Sequence, residues 1–297
     1  ANPKTDKKSA LKDSSGNQVY IKGSDGKYTA ATWADYYTAT AFYIEAEPVY
    51  KYTGWQTLNG KTYFFDKNGN KVTGEQVILG VKYNFDSNGA LSMNGGVLGI
   101  DVSKYQTEID WKAVKNSGIS FVIIRCGYRG YSTGVLVKDP LFETHIKGAT
   151  SAGLKVGLYF FSQAITEEEA LEEAGYVLER VAPYKITCPI VLDVEKVSDS
   201  EARMNKISKE QRTANTLTFL KAVEAAGYKT MLYHNMEMAT LKMDMTQLED
   251  YEKWFAYYNK ELYYPYAYSV WQYSDKGKVD GISGDVDMNI SFTLWED

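Results

Sequence analysis

Carboxylates are the side chains of this sequence best placed to do chemistry. Residues 189–195 are apolar until the last positions, which carry Asp193 and Glu195 two residues apart. Because side chains alternate along a β-strand, both carboxylates would lie on one face at a strand end. A carboxyl group among like charges has a raised pKa, which suits a general acid working near neutral pH. The pair therefore predicts acid–base catalysis.

Two other predicted strands carry acidic residues that could lie close to Asp193 and Glu195 at the same end of the sheet. Residues 97–102 contain Asp101, and residues 284–291 contain Asp285 and Asp287 beside Asn289. One such Asp alone often caps a loop, but acids on three strands favour a shared site. A magnesium or calcium site is the alternative, since hard cations take oxygen ligands. No Asp-rich loop with such spacing occurs, so we expect no metal and no other cofactor.

Other catalytic residue types are scarce. The two histidines, His145 and His234, are too few for a multi-histidine zinc site and disfavour a Ser-His-Asp nucleophile. Cys126 and Cys188 lack the Cys-x-x-Cys spacing of a metal or redox site. We expect both cysteines to be buried, free thiols, separated by one strand.

The elements that must position the acids are read from the pattern after residue 96. Short apolar runs alternate with amphipathic stretches, as in repeated βα units with a parallel sheet. The predicted strands cover 97–102, 119–126, 154–161, 188–194, 228–234, 253–258, 267–273 and 284–291. Helices are predicted over 138–152, 167–181 and 208–226. Since eight strands close a barrel and the last connections are too short for full helices, we predict an irregular α/β barrel with about five helices.

Length and charge limit the class of protein. The 297 residues exceed a single barrel of about 250, which favours one large domain with an appendage. The net charge of −5 argues against nucleic-acid binding. No run of eighteen apolar residues occurs, so we expect no membrane span. The polar start of the chain is unlike a signal segment, and we expect any export signal to have been removed.

A repeat with a period of 20 residues precedes the barrel. Identical residues recur as Gly54/Gly74, Gly60/Gly80, Tyr63/Tyr83, Phe65/Phe85, Asp66/Asp86, Asn68/Asn88 and Gly69/Gly89. Each copy reads as a strand, an Asp-x-Asn-Gly turn and a return strand, which together form a β-hairpin. A less regular copy of this strand-and-turn pattern lies at 13–28. We predict a disordered segment over 1–12, a small all-β hairpin domain over 13–95 and a barrel domain over 96–297.

The repeat from Gly54-Trp55 to Thr73-Gly74 resembles the cell-wall-binding repeats of bacterial surface proteins. In that family, aromatic residues of adjacent hairpins form ligand slots, commonly for choline or glycan. The second copy departs from the family by carrying Glu75 in place of its Trp. The alternative is that the hairpins act only as a spacer or a brace between domains.

Seven motifs of the barrel segment resemble, in the same order, those of glycoside hydrolase family 25, the bacterial and phage muramidases. They are Gly99-Ile100-Asp101-Val102-Ser103, Phe121-Val122-Ile123-Ile124-Arg125, Gly157-Leu158-Tyr159-Phe160-Phe161, Asp193-Val194-Glu195, Trp254-Phe255-Ala256-Tyr257, Trp271-Gln272-Tyr273-Ser274 and Gly284-Asp285-Val286-Asp287-Met288-Asn289. The resemblance spans residues 97–297. It implies an irregular barrel of eight strands and five helices.

The resemblance also implies an activity, the hydrolysis of the β-1,4 bond between N-acetylmuramic acid and N-acetylglucosamine in peptidoglycan. Glu195 matches the family's general acid. Asp193 matches the partner that orients the substrate's N-acetyl group as that group attacks the anomeric carbon, which implies a retaining reaction. Asp101 and Asp287 match two further acids of the family, and Asp285 is the weaker match.

Aromatic side chains are expected to form the walls of this site, because their rings can stack on sugars. At or near predicted strand ends lie Tyr159, Phe161, Tyr233, Trp254, Tyr257 and Trp271. Packing in the barrel core is the alternative, above all for Phe161 and Trp254. Arg125 could pair with the acids. His234 could donate a hydrogen bond to substrate or serve the structure only.

Three functions follow from these observations. The first is a secreted, cell-wall-associated muramidase, expected to be monomeric, whose hairpins also hold a wall polymer. The second is a hydrolase of another N-acetylated glycan such as chitin, although the longer Asp-x-x-Asp-x-Asp-x-Glu signature is missing. The third is a non-catalytic wall-binding protein, against which the presence of Glu195 argues.

Overall fold

The computed structural model of the chain contains two compact units, Ala1–Tyr52 and Thr53–Asp297. The residues that the structure describes are 8–43, 52–58, 61–78, 81–92, 96–258, 263–264, 266–293 and 295. No helix among them is long and apolar enough to span a bilayer. The two repeat copies belong to the same unit as the barrel.

The first unit is built on a short antiparallel pair, β1 (Tyr20–Lys22) and β2 (Tyr28–Ala30). Residues 1–7, part of the segment expected to be disordered, lie outside the described residues. In the rest of that segment, Leu11 is buried and its backbone N–H donates to the carbonyl oxygen of Ala31 at 2.9 Å. Leu11 therefore belongs to a small core with Val19 and Ala31.

Each repeat copy forms one antiparallel hairpin, as predicted. The strands are β3 (Gly54–Leu58), β4 (Lys61–Phe65), β5 (Gly74–Ile78) and β6 (Val81–Phe85). Gly60 and Gly80 lie outside the described residues.

The Asp-x-Asn-Gly turns lie at a different place in the hairpin from the one we expected. Asp66 follows both strands of its hairpin, so its turn leads out of the hairpin and does not connect the two strands. The Asp66 carboxylate accepts the backbone N–H groups of Asn68 at 2.8 Å and Asn70 at 2.9 Å. Gly69 adopts a φ of 82°, which only glycine reaches without strain. The return after this turn is short, a single bridge between Phe65 and Lys71.

A closed barrel of eight strands forms the rest of the second unit, and all eight predicted strands are present. In chain order the strands of this region are β7 (Val97–Val102), β8 (Phe121–Arg129), β9 (Leu136–Lys138), β10 (Lys155–Phe161), β11 (Ile190–Asp193), β12 (Thr230–Asn235), β13 (Glu252–Ala256), β14 (Tyr263–Tyr264), β15 (Val270–Gly277) and β16 (Val286–Ser291). The short strands β9 and β14 lie outside the barrel, which closes through pairing of β8 with β10.

The last barrel strand runs against its neighbours, whereas we expected a parallel sheet. Strand β16 is antiparallel to both β15 and β7. Residues 278–285, which connect β15 to β16, are too few for the crossover of a dozen or more residues that a parallel pair needs. The start of β16 therefore lies at the carboxyl ends of the other strands.

Four α-helices and one π-helix surround the described part of the barrel. They are α1 (Trp111–Asn116), α2 (Phe142–Ser151), α3 (Glu167–Val181), α4 (Lys209–Ala225) and the π-helix Met238–Lys242. The predicted start of α2 at residue 138 is too early, because β9 takes Leu136–Lys138. Side chains of Thr166 and Ser208 cap α3 and α4 by accepting backbone N–H groups of their first turns, which fixes where these helices begin.

Apolar side chains fill the barrel below the carboxyl ends of its strands. This inner cluster includes Phe121, Ile123, Val191, Met231 and Val270. Both cysteines are buried and free, as predicted. Cys126 lies on β8 and Cys188 just before β11, and β10 separates these two strands.

Candidate active site

The structure brings the four predicted acids together at one end of the barrel. Asp101 lies near the end of β7, Asp193 ends β11, and Glu195 follows two residues later. Asp287 lies near the start of β16, which reaches this end because the strand is antiparallel. These acids line one cleft, here called the acid cleft, together with Tyr159, Tyr233, Trp254 and Gln272.

Two amide side chains hold Asp101 in place. Gln272 Nε2 donates to Asp101 Oδ2 at 2.7 Å, and Asn289 Nδ2 donates to the same oxygen at 2.8 Å. The amide oxygen of Gln272 accepts the hydroxyl groups of Tyr233, at 2.8 Å, and of Tyr258. Because this oxygen serves two phenols, the amide nitrogen of Gln272 must face Asp101.

A second chain of hydrogen bonds fixes Asn289. The indole nitrogen of Trp254 donates to Asn289 Oδ1 at 2.8 Å. Trp254 and Asn289 are both buried, so each polar group has its partner inside the protein. The floor of the acid cleft is thus a connected polar network under Asp101.

Glu195 has the environment of a general acid. Burial raises the pKa of its carboxyl group to about 7, with a further contribution from the negative charge of Asp287. A carboxyl group with this pKa is partly protonated at neutral pH and can donate a proton to a leaving group.

Asp193 is deeper in the cleft than Glu195. Burial raises the pKa of Asp193 well above its ordinary value, and the charges of Glu195 and Asp101 raise it further, while Arg125 opposes the shift. Its Oδ1 atom is buried and accepts no hydrogen bond from any described residue. The acid cleft therefore contains a carboxylate oxygen that a bound molecule could use as an acceptor.

Arg125 pairs with a different acid from the one we expected. Its Nε donates to Asp139 Oδ2 at 2.8 Å, and the Asp139 side chain is fully buried. The strand β8 continues four residues beyond Arg125, and the return through β9 brings Asp139 beside it. Arg125 still favours the charged form of Asp193 at longer range.

Only half of the predicted aromatic wall lies at the acids. Tyr233 and Trp254 meet edge to face with ring centroids 4.6 Å apart, and Tyr159 lies 6.3 Å from Trp254. Phe161 ends β10 but does not line the acid cleft. Tyr257 and Trp271 pack on the outer face of the barrel, where Trp271 Nε1 donates to the Tyr257 carbonyl oxygen at 3.0 Å. Gln272 points inward, so its neighbour Trp271 points outward.

Three further residues considered in the sequence lie away from the acids. Asp285 is exposed and forms an ion pair with Lys278 at 2.6 Å. His234 is buried, with Nε2 2.8 Å from the Tyr264 hydroxyl, and burial lowers its pKa to about 3. His145 Nε2 lies 3.2 Å from the carbonyl oxygen of Ser103. The histidines are therefore structural.

No role for Gln272 or Tyr258 is visible in the sequence alone, where Asn289 stands only as a neighbour of Asp287. Asn289 follows Asp287 by two residues and so shares its face of β16, a signal that was available. The contact of Tyr258 with Gln272 joins a connecting segment to a strand and leaves no local pattern. Among the described residues, no group of three or more His, Cys, Asp or Glu side chains could hold a metal ion.

Two family models match the chain. The model of glycosyl hydrolases family 25 matches residues 100–282, more than half of the chain. A choline-binding repeat model matches residues 52–95. The two matches correspond to the barrel and to the two hairpins.

Among curated proteins, the autolytic lysozyme of Clostridium acetobutylicum is 28% identical over 193 residues. The match covers 64% of this chain and 54% of that protein, so the chain corresponds to about half of its length.

Solved structures show the same barrel. A bacterial lysozyme from Streptomyces coelicolor is 27% identical with a TM-score of 0.54, and the match covers 65% of this chain and 91% of that one. The modular autolysin LytC of Streptococcus pneumoniae, solved with a synthetic peptidoglycan ligand, has a TM-score of 0.57 at 21% identity. That match covers 95% of this chain and 74% of LytC, and it shows a shared fold.

Proposed function

The chain belongs to glycosyl hydrolases family 25, and we propose that it is a peptidoglycan hydrolase of the lysozyme type. Its reaction is the cleavage of the β-1,4 bond between N-acetylmuramic acid and N-acetylglucosamine. The observation that supports this most is the acid cleft, where Glu195, with a pKa of about 7, lies beside the buried carboxyl group of Asp193.

Glu195 acts as the general acid in this proposal. Burial raises the pKa of its carboxyl group to about 7, and its side chain is partly exposed, whereas Asp193 and Asp101 are buried. Its proton passes to the glycosidic oxygen as the bond to the anomeric carbon breaks. The charge of Glu195 raises the pKa of Asp193, and the positive charge of Arg125 partly opposes this shift, so the two carboxyl groups titrate as a pair.

Asp193 positions the nucleophile, which belongs to the substrate. Its buried Oδ1 accepts the N–H of the N-acetyl group, and the acetyl oxygen then attacks the anomeric carbon from the face opposite the leaving group. Water opens the resulting ring with Glu195 now acting as base. Two inversions at the anomeric carbon retain its configuration.

Asp101 and Asp287 shape the electrostatic field of the cleft, and Tyr159 and Tyr233 support the sugar. Trp254 is only 2% exposed, so it acts mainly by orienting Asn289 and the Tyr233 ring. Tyr159 and Tyr233 are the half-buried rings of the cleft. They are the two that a sugar can reach.

The protein is proposed to work outside the cell, as a monomer attached to the wall. The choline-binding repeat match supports attachment to a wall polymer. Four aromatic residues of the repeats, Trp55, Phe65, Tyr83 and Phe85, are buried. Attachment therefore falls to aromatic residues that are more exposed, such as Tyr36 and Phe42 in the first unit.

The test is mass spectrometry of fragments released from purified peptidoglycan by the wild type and by Glu195→Gln. Fragments with reducing N-acetylmuramic acid ends, lost in the variant, are the expected result. Glu201→Gln is the matched control, because Glu201 is exposed and forms a surface ion pair with Lys206. Reducing N-acetylglucosamine ends would identify a different glycosidase. If the wild type released no fragments but still bound the wall, the non-catalytic wall-binding protein would be the better explanation.

A further inference from the structure

In the part of the chain that the structure describes, the connections between β13, β15 and β16 contain no α-helix that could cover the barrel wall formed by these strands. A strand of an α/β barrel is apolar on its outer face as well, and this face must be covered. Phe255 of β13 is fully buried, as are Tyr264 and Tyr268 in the connection that follows. Another part of the chain must therefore provide the cover.

The two repeat hairpins cover this wall. Trp55 is fully buried, with its ring 4.8 Å from that of Tyr83 and 4.9 Å from that of Tyr268. The Tyr83 ring lies 5.1 Å from Phe292, just after β16. Strand β3 also pairs with β14, so that Trp55 stands opposite Tyr264.

Tyr83 makes a specific bond to the backbone of the barrel. Its hydroxyl accepts the backbone N–H of Tyr268 at 2.9 Å and donates to the carbonyl oxygen of the same residue. The side chain thus satisfies both backbone groups of Tyr268, as a neighbouring strand would. Tyr83 is 1% exposed, so these bonds are shielded from water.

The residue that Tyr83 holds lies directly before a strand of the acid cleft. Tyr268 precedes β15 by two residues, and β15 carries Gln272, which donates to Asp101. Residues 268–272 therefore connect the residue that Tyr83 binds with the residue that binds Asp101.

The equivalent tyrosine of the first repeat has different surroundings. Tyr63 lies 20 residues earlier and is only partly buried. The ammonium group of Lys71 lies 3.9 Å from the centroid of its ring. Two residues at the same position of the repeat thus have different partners.

We propose that the second repeat copy is a structural part of the catalytic barrel and that Tyr83 is a positioning residue, which sets the start of β15 and through it the Gln272–Asp101 contact. The repeats replace the missing helix cover on this side of the barrel. Only the activity readout below rests on the proposed function.

The experiment compares Tyr83→Phe with Tyr63→Phe in the full chain. Phenylalanine keeps the ring and its packing and removes only the hydroxyl group. For Tyr83→Phe we expect at least tenfold faster hydrogen exchange at the Tyr268 amide, and a melting temperature lower by about 3 °C or more. We also expect kcat on soluble peptidoglycan fragments to fall about threefold or more with KM nearly unchanged, because the change acts on Asp101. Tyr63→Phe should move none of these values.

The outcomes separate the proposal from the proposed activity. If hydrogen exchange at the Tyr268 amide were unchanged in Tyr83→Phe, or if both variants had equal effects, the structural role of Tyr83 would be overturned. Faster exchange and lower stability with wild-type kcat would overturn the positioning role. Should the wild type lack hydrolytic activity, the exchange and melting data would still decide the structural part.

Discussion

Asp287 stands directly opposite Asp101 across the antiparallel pair formed by β16 and β7. Burial raises the pKa of Asp101, and the charge of Asp287 raises it further. Asp287 also contributes to the raised pKa of Glu195, after burial. One acid on the reversed strand therefore influences both a floor residue and the proposed general acid.

Replacing Asp287 tests this role against Asp285, which lies directly before the same strand. Asp287→Asn should lower kcat/KM by about 10- to 100-fold, because it removes a charge that shapes the electrostatic field of the cleft. Asp285→Asn is the control, since Asp285 is exposed and paired with Lys278. Both variants would be assayed by release of reducing sugar from peptidoglycan, and equal losses would contradict the assignment.

The pH dependence of activity should follow the protonation of Glu195. A general acid must hold its proton, so kcat/KM should fall as the pH rises through about 7, the pKa to which burial raises this group. In Asp287→Asn the like charge is gone, and the alkaline limb should move to lower pH. An alkaline limb at the same pH in both proteins would show that Glu195 does not titrate there.

Local patterns were enough to predict the barrel strands, the bounds of α3 and the convergence of the acids. Apolar runs ending in Asp101 or in Asp193 are visible in the sequence because strand periodicity is local. The direction of β16 and the Tyr83–Tyr268 bonds were not predictable in the same way, because they join residues far apart in the chain. The ion pair between Arg125 and Asp139 was not predictable either, because it depends on the short strand β9, which brings Asp139 beside Arg125.

Packing inside the barrel can be tested at a glycine. A Cβ atom on Gly99 would lie 2.3 Å from the Phe121 ring, below the acid cleft. We expect Gly99→Ala to destabilise the protein by about 1–3 kcal/mol, because Phe121 would have to move within the filled core. Gly175→Ala is the matched control on the exposed side of α3, where no atom lies within 4 Å. It should be neutral or stabilising by up to about 1 kcal/mol in urea unfolding.

The raised pKa of Glu195 also predicts how stability depends on pH. The pKa of this carboxyl group is about 7 when folded, against 4.5 for the ordinary group. The folded protein therefore binds the proton more tightly, and stability falls as the pH rises between these values. A glutamine at this position cannot ionise, so the variant Glu195→Gln does not lose this stability as the pH rises.

The melting temperature of Glu195→Gln should thus match that of the wild type near pH 4.5 and exceed it by about 2–5 °C at pH 8. Thermal unfolding at both pH values checks this, with Glu201→Gln as the control that should follow the wild type throughout, since Glu201 is a surface acid. A difference of the same size at both pH values would mean that glutamine simply packs better. In that case the pKa of Glu195 would not be raised in the folded protein. A carboxyl group with an ordinary pKa is ionised at neutral pH, so the general-acid assignment would lose its electrostatic support.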